Sequence, residues 1–238
     1  MTRESAKTEA EPSSQIENNQ TADSVCTSWI KELHPNLDDR NIIENNEMLT
    51  DKIIDAAHQL LLRQCSINEI DTSLLCQASG FTPTQYPSVQ IHHDPQRQHW
   101  ITSSTVRQRV EVADSLSNGT LSSRQSQQWI AQSTDSLSNG TLSRSIQDQL
   151  NQKYSCLAVD GILPVRQQDN SVDCGVYAIA NAIEFVVDNG NPIANYDIAV
   201  MRSHLIQCIE SWELHPFPKC PPKIRGRQPK IKVYNITL

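Results

Sequence analysis

The chain of 238 residues has room for one ordinary domain or two small ones, and its 37% hydrophobic content falls short of the roughly 45–50% usual for soluble domains, so part of it lies outside any core. No run approaches the ~18 apolar residues of a membrane span, the start lacks the basic-then-apolar plan of a signal peptide, and seven cysteines (Cys26, Cys65, Cys76, Cys156, Cys174, Cys208, Cys220) with no CxxC pair argue against a disulfide framework and a structural zinc site. The net charge of −7 is already reached within residues 1–51, and the only basic cluster is the six Lys and Arg of residues 219–238, so the body lacks the basic face of a duplex nucleic-acid reader. The expectation is a soluble intracellular protein, in nucleus or cytoplasm, with reduced thiols and no specific nucleic-acid or membrane partner.

Residues 1–24 are mostly Glu, Ser, Thr, Asn and Gln, with too little apolar surface to offset the entropy of ordering. From Trp29 to Asn46 the pattern is mixed, with Pro35 inside it, and admits at most a short helix, so residues 1–45 are assigned to a disordered acidic and polar arm. Thr50-Asp51 reads as a capping pair. Ile53, Ile54, Ala57, Leu60 and Leu61 then share one face of a helix over about 51–64. Three strand-like pieces follow, at Val89–His92, His99–Val106 and Arg109–Ala113, as in an antiparallel meander. Leu142, Ile146 and Leu150 mark a helix, and Leu157–Val165 reads as another strand. The apolar stretch from Cys174 to Val187 predicts a buried helix ended by Asp188-Asn189-Gly190. A last helix runs from about Asp197, a good N-cap, to Leu214. A basic tail occupies 219–238.

DSLSNGTLS occurs twice without change, at 114–122 and 135–143, so residues 114–134 and 135–155 form a local duplication with a period of 21. Two copies are too few for a solenoid.

Cys174 lies where a polar loop becomes the first turn of the buried helix. The positive end of a helix dipole favours thiolate over thiol, which is what a sulfur nucleophile needs; the alternative is a small core residue. Gly175 beside it, without a Cβ, would let a substrate backbone come close. A nucleophilic cysteine needs a base and an orienter for the base. Among the seven histidines His99 is the best placed, at the start of an apolar strand, since His92 and His93 fall in a polar turn and His34, His58, His204 and His215 in helical or Pro-flanked contexts. Asp114 ends the next strand, and one hairpin would return it to His99. Gln168 could donate its amide to an oxyanion together with the backbone N–H of the cysteine. His92, His93 and Asp94 are consecutive and cannot all face one metal ion.

The order His99-Trp100, Asp114-Ser115, Gln168, Asp173-Cys174-Gly175, preceded by Met48-Leu49-Thr50-Asp51 heading a helix, resembles the ubiquitin-like-protein-specific cysteine proteases, the family that contains the SUMO proteases. The likeness spans about residues 46–215, taken as a domain over 46–218. It implies an α+β papain-like fold, with the nucleophile on a central buried helix packed on a mostly antiparallel sheet. It also implies hydrolysis after the C-terminal Gly-Gly of a ubiquitin-like modifier, in maturation of the precursor or release from a lysine, by a monomer without metal or organic cofactor. Cys174 is then nucleophile, His99 general base and acid, Asp114 orienter and Gln168 oxyanion donor, with Trp100, Met48, Gly175 and Asp51 on the substrate side. The family has Trp where this chain has Met48, and the duplication separates the orienting Asp from the nucleophile. The alternatives are an acyltransferase with the same His, acid, Cys order and an inactive module that binds a ubiquitin-like protein.

Overall fold

The structure is a computed structural model that describes residues 28–221 except 68–69, 74–79, 85–86, 117–141, 156 and 158. Among these residues the elements run α1 (Leu37–Glu44), α2 (Asp51–Gln64), β1 (Val89–Asp94), β2 (His99–Ser104), β3 (Val110–Ala113), α3 (Arg144–Lys153), β4 (Val159–Leu163), α4 (Cys174–Val186) and α5 (Ile198–Ser211), with a short 3-10 turn at Lys31–Leu33 ahead of them. The four strands form one sheet in the order β1-β2-β3-β4. The first three pair antiparallel as the sequence suggests, and β4 lies parallel to β3.

A helix with almost no polar residue must be buried all round, and α4 is buried at every position except Val186. Gly175, Ala178, Ala180 and Ala182 keep parts of its surface small, so neighbouring elements can come close. One side packs on β1 and β2, and Thr102 Oγ1 of β2 donates to the Ala178 carbonyl at 2.7 Å. Ile53, Ile54, Ala57, Leu60 and Leu61 of α2 and Met201, Leu205, Cys208 and Ile209 of α5 complete the same core. Each fully buried large aliphatic or Phe side chain contributes about 1.5–3 kcal/mol. The opposite face of the sheet is covered by α3, whose Ile146 and Leu150 meet Ile101, Val110 and Val112, with Tyr154 just beyond the helix.

That second layer contains a buried polar seam. His92 Nδ1 lies 3.2 Å from Gln149 Oε1, which can only accept, so this nitrogen is the donor. The neutral ring then accepts at Nε2 from Ser103 Oγ, at 2.6 Å, and Tyr154 OH lies 2.8 Å from the same Ser103 Oγ. His92 is therefore a strand residue with a fully buried ring, contrary to its expected place in a polar turn. The turn begins only at Pro95, and β1 runs on through Asp94.

Three other expectations change. The arm does not extend to residue 45, because Asn36 and Asp39 form a reciprocal capping box that starts α1, while Leu33 and Ile43 bury their side chains. Thr50 stands at the N-cap of α2 but makes no capping bond with its side chain; its hydroxyl donates instead to Asp39 Oδ1 at 2.9 Å. Lys219 is no part of a free basic tail, since its ammonium meets the fully buried Glu184 carboxylate at 2.7 Å. A buried carboxylate without a cation would be costly, which fixes the segment around Lys219 there. Residues 222–238 and the duplication between 117 and 141 lie outside the described residues.

Burial lowers the His92 pKa from 6.5 to about 3; the Gln149 bond opposes this, and the charges of Lys153 and His58 reinforce it. A folded-state pKa below the unfolded value means that stability is present above about 6.5 and is lost as pH falls toward 3. The urea midpoint should therefore decline across that interval, and His92→Asn should flatten the decline while lowering stability at pH 7. An unchanged slope in the variant would remove His92 as its source.

Candidate active site

The hairpin between β1 and β2 turns through Pro95–Gln98 and delivers His99 opposite Asp94, with Trp100 opposite His93. All of β2 is buried, His99 included. Asp114 follows the last residue of β3, and its Oδ1 lies 2.7 Å from His99 Nε2. The same oxygen accepts from the Leu116 N–H at 2.8 Å, so the carboxylate is fixed by its own turn before it meets the ring. Asp135 lies outside the described residues.

Cys174 opens α4 with its side chain wholly buried, and it lies near enough to the His99 ring to help raise that ring's pKa. Since Nε2 is taken by Asp114, the ring nitrogen left for sulfur is Nδ1, which is buried and makes no hydrogen bond in the resting arrangement. Burial alone would lower the His99 pKa. The Asp114 bond, the nearby Cys174 thiol and the charges of both groups outweigh it and raise the value to about 9. A ring held between carboxylate and sulfur thus keeps its proton at neutral pH, the state that pairs with a thiolate.

Gln168 is tied to the strand that carries the aspartate. Its backbone N–H donates to the Ser115 carbonyl at 2.9 Å, and Ser115 Oγ donates to Gln168 Oε1 at 2.7 Å. Gln167 Nε2 adds a bond of 3.3 Å to the Asp114 carbonyl. With Oε1 engaged by Ser115, the Gln168 amide NH2 is turned toward Asn170, whose carbonyl takes one N–H at 2.5 Å. The amide has a second N–H for another acceptor. His99, Asp114, Ser115, Gln168 and Cys174 therefore form one neighbourhood.

The substrate-side residues divide. The Trp100 indole is buried and donates to the Leu49 carbonyl at 3.3 Å, which holds the Met48-Leu49 segment against it; Met48 itself is half-buried. Asp51, at the first position of α2, acts by charge on His93, whose ring lies tilted over Trp100 with centroids 4.4 Å apart. Gly175 has a packing reason of its own. A Cβ there would lie 2.9 Å from Leu49 Cβ and 3.1 Å from Leu49 Cγ, so the bare position makes room for Leu49.

Sequence reasoning missed Asn170, Arg202 and His93. Asn170 folds the approach to Cys174 by accepting from the Val172 and Asp173 N–H groups, both at 3.0 Å, a turn that the Asp-Asn-Ser run could have signalled. His93 was assigned to a turn. Arg202 is 28 residues beyond the nucleophile and carries no local signal. Among the described residues no cluster of His, Cys, Asp and Glu could hold a metal ion, and no helix is long and apolar enough to cross a membrane.

No protein-family model and no curated protein matches the sequence. Among solved structures, the SUMO protease Ulp1 with its catalytic cysteine oxidised to a sulfinic acid is similar at 15% identity and a TM-score of 0.51, over 78% of this chain and 88% of that one. Ulp1 with the cysteine oxidised to a sulfonic acid is similar at 16% identity and a TM-score of 0.51, over 79% and 89%. At such identities the likeness speaks for architecture, and the sheet with the buried helix α4 against it agrees: the chain has the papain-like α+β fold of the SUMO protease Ulp1.

Proposed function

We propose that the chain is a cysteine peptidase that cleaves after the C-terminal Gly-Gly of a ubiquitin-like modifier, from its precursor or from a lysine of a conjugate. The observation that carries this reading is the buried His99 ring, bonded to Asp114 through Nε2, with the buried Cys174 at the head of α4 near enough to help raise the ring's pKa. The modifier as substrate is supported by the name of the structurally similar SUMO protease and by the matching motif order.

In this mechanism the Cys174 thiolate attacks the carbonyl of the last glycine. The oxyanion is met by the N–H of Cys174 and the second N–H of Gln168, a type of donor worth about 3 kcal/mol when removed elsewhere. Protonated His99 gives its proton to the leaving amine, and a thioester remains on Cys174. Neutral His99 then takes a proton from water, which attacks the thioester and frees the modifier carboxylate. Asp114 holds the ring orientation and stabilises its charged form throughout. The chain's own side chains and the Cys174 backbone N–H supply every group, so this mechanism calls for neither metal nor organic cofactor, and a single chain suffices.

Four outcomes test the reading. A ubiquitin-like modifier with an electrophilic C-terminus should form one adduct, mapped by mass spectrometry to Cys174 and absent in Cys174→Ser; an adduct on Cys208, or none with any modifier, would refute it. Asp114→Asn should lower kcat/KM by about 100-fold or more, and Asp135→Asn should change it little. Because Asp114 helps to raise the His99 pKa to about 9, the alkaline limb of the wild-type profile should fall near 9, and in Asp114→Asn it should move to lower pH. Met48→Trp should enclose the channel beside Trp100 more tightly and raise turnover of a modifier that ends in two glycines; a steady-state loss would remove Met48 from the channel.

A further inference from the structure

An aspartate immediately before a helix ordinarily folds its carboxylate back onto the first N–H groups, where it neutralises the positive end of the helix. Asp173 occupies that position ahead of α4 and does not do so. Its backbone has φ −90 and ψ 0, away from the extended conformation of a capping residue, and its side chain caps nothing. The carboxylate is drawn the other way. Oδ1 accepts from Arg202 Nε at 2.8 Å and lies 2.7 Å from Arg202 Nη2, while Oδ2 accepts from Asn170 Nδ2 at 2.7 Å.

Arg202 belongs to α5 and is nearly buried. Besides holding Asp173, its Nη2 donates to the Val172 carbonyl at 3.1 Å, and its Nη1 reaches the Ile43 carbonyl at 3.4 Å, near the end of α1. The planar fork therefore grips both the side chain and the backbone of the turn that leads into Cys174. A lysine could not reproduce this set of bonds.

We propose that Arg202 is a positioning residue for Cys174: by neutralising the Asp173 carboxylate and holding it away from the first turn of α4, it keeps that helix end electropositive beside the sulfur. The inference rests on Cys174 as the nucleophile. Without Arg202 the carboxylate is free to swing back over the helix end, where it would place a negative charge beside a thiolate and compete with an oxyanion for the same N–H groups.

The test reads the thiolate directly, without substrate, as the ultraviolet thiolate absorbance of the protein at neutral pH less that of Cys174→Ser. Arg202→Gln should lower this signal several-fold and lower kcat by about tenfold with little change in KM, the scale of one charge at a helix end. Adding Asp173→Ala should restore both, because the offending carboxylate is gone. A purely structural role predicts the opposite, since the double variant has lost both partners of the ion pair and would be no better than the single. If circular dichroism shows that Arg202→Gln does not fold, Arg202→Lys decides: it retains the cation but not the fork, and should give a smaller loss of thiolate that Asp173→Ala again reverses. An unchanged thiolate signal in the folded Arg202 variant, or a double variant as impaired as the single, overturns the inference. Absence of any modifier adduct alongside the expected thiolate pattern would instead count against the proposed substrate and leave Arg202 in place.

Discussion

The 2.7 Å contact between His99 Nε2 and Asp114 Oδ1 organises the molecule around it. Both groups are buried, and a buried ion pair holds only when the geometry is good and the remaining lone pairs are satisfied. The aspartate side is held by its own turn and by the loop beside it. Asp114 spends the same oxygen on the Leu116 N–H, its own carbonyl accepts from Gln167, and the following residue is bonded twice to Gln168. The loop that leads to the nucleophile is thus attached to the residue that orients the base. β4, which feeds that loop, runs parallel to β3 and beside it.

Similar reasoning covers the rest of a polar interior. Lys153 is fully buried and meets Asp71 at 2.8 Å; Glu184 is fully buried and meets Lys219; Arg202 is nearly buried and meets Asp173. Removing one partner of such a pair would leave an uncompensated charge at a cost of about 3–5 kcal/mol. Each pair joins segments far apart in sequence: the loop after α2 with α3, the segment after α5 with α4, and α5 with the turn before Cys174.

Much of this was legible in the residues. Apolar spacing located α2, α3 and α5 to within a few residues, a continuous apolar stretch located the fully buried α4, and strand-like runs located the meander. The nearness of His99 and Asp114 followed from one hairpin. What escaped the sequence depended on partners distant along the chain. The helix at 37–44 has only a short apolar stripe and is held by α5 through Arg202 and by Glu210, which binds both Trp29 and Arg40. His92 looked like a turn residue because its polar neighbours suggested one, whereas its ring is neutralised by burial and bonded to Gln149, 57 residues away. Gly175 was read for what might approach from outside, yet Leu49 already stands against it.

The duplication follows from the same locality. Two identical copies of DSLSNGTLS compete for two structural tasks, and adjacency divides the tasks between them. Asp114, Ser115 and Leu116 of the first copy directly follow β3, so they take the turn beside His99 without any intervening chain. Leu142 and Ser143 of the second copy directly precede α3. Leu142 is buried against the layer on the outer face of the sheet, and Ser143 Oγ caps the helix by accepting from the Ile146 N–H at 3.3 Å. The front of one copy and the back of the other thus do the work that a single copy would do, and the added 21 residues fall between them. The closure entropy of a lengthened connection grows only with the logarithm of its length, by about 0.6 kcal/mol per doubling. That is small beside the capping bond, the buried Leu142 and the His99–Asp114 pair, so the insertion can lengthen the chain without displacing either end.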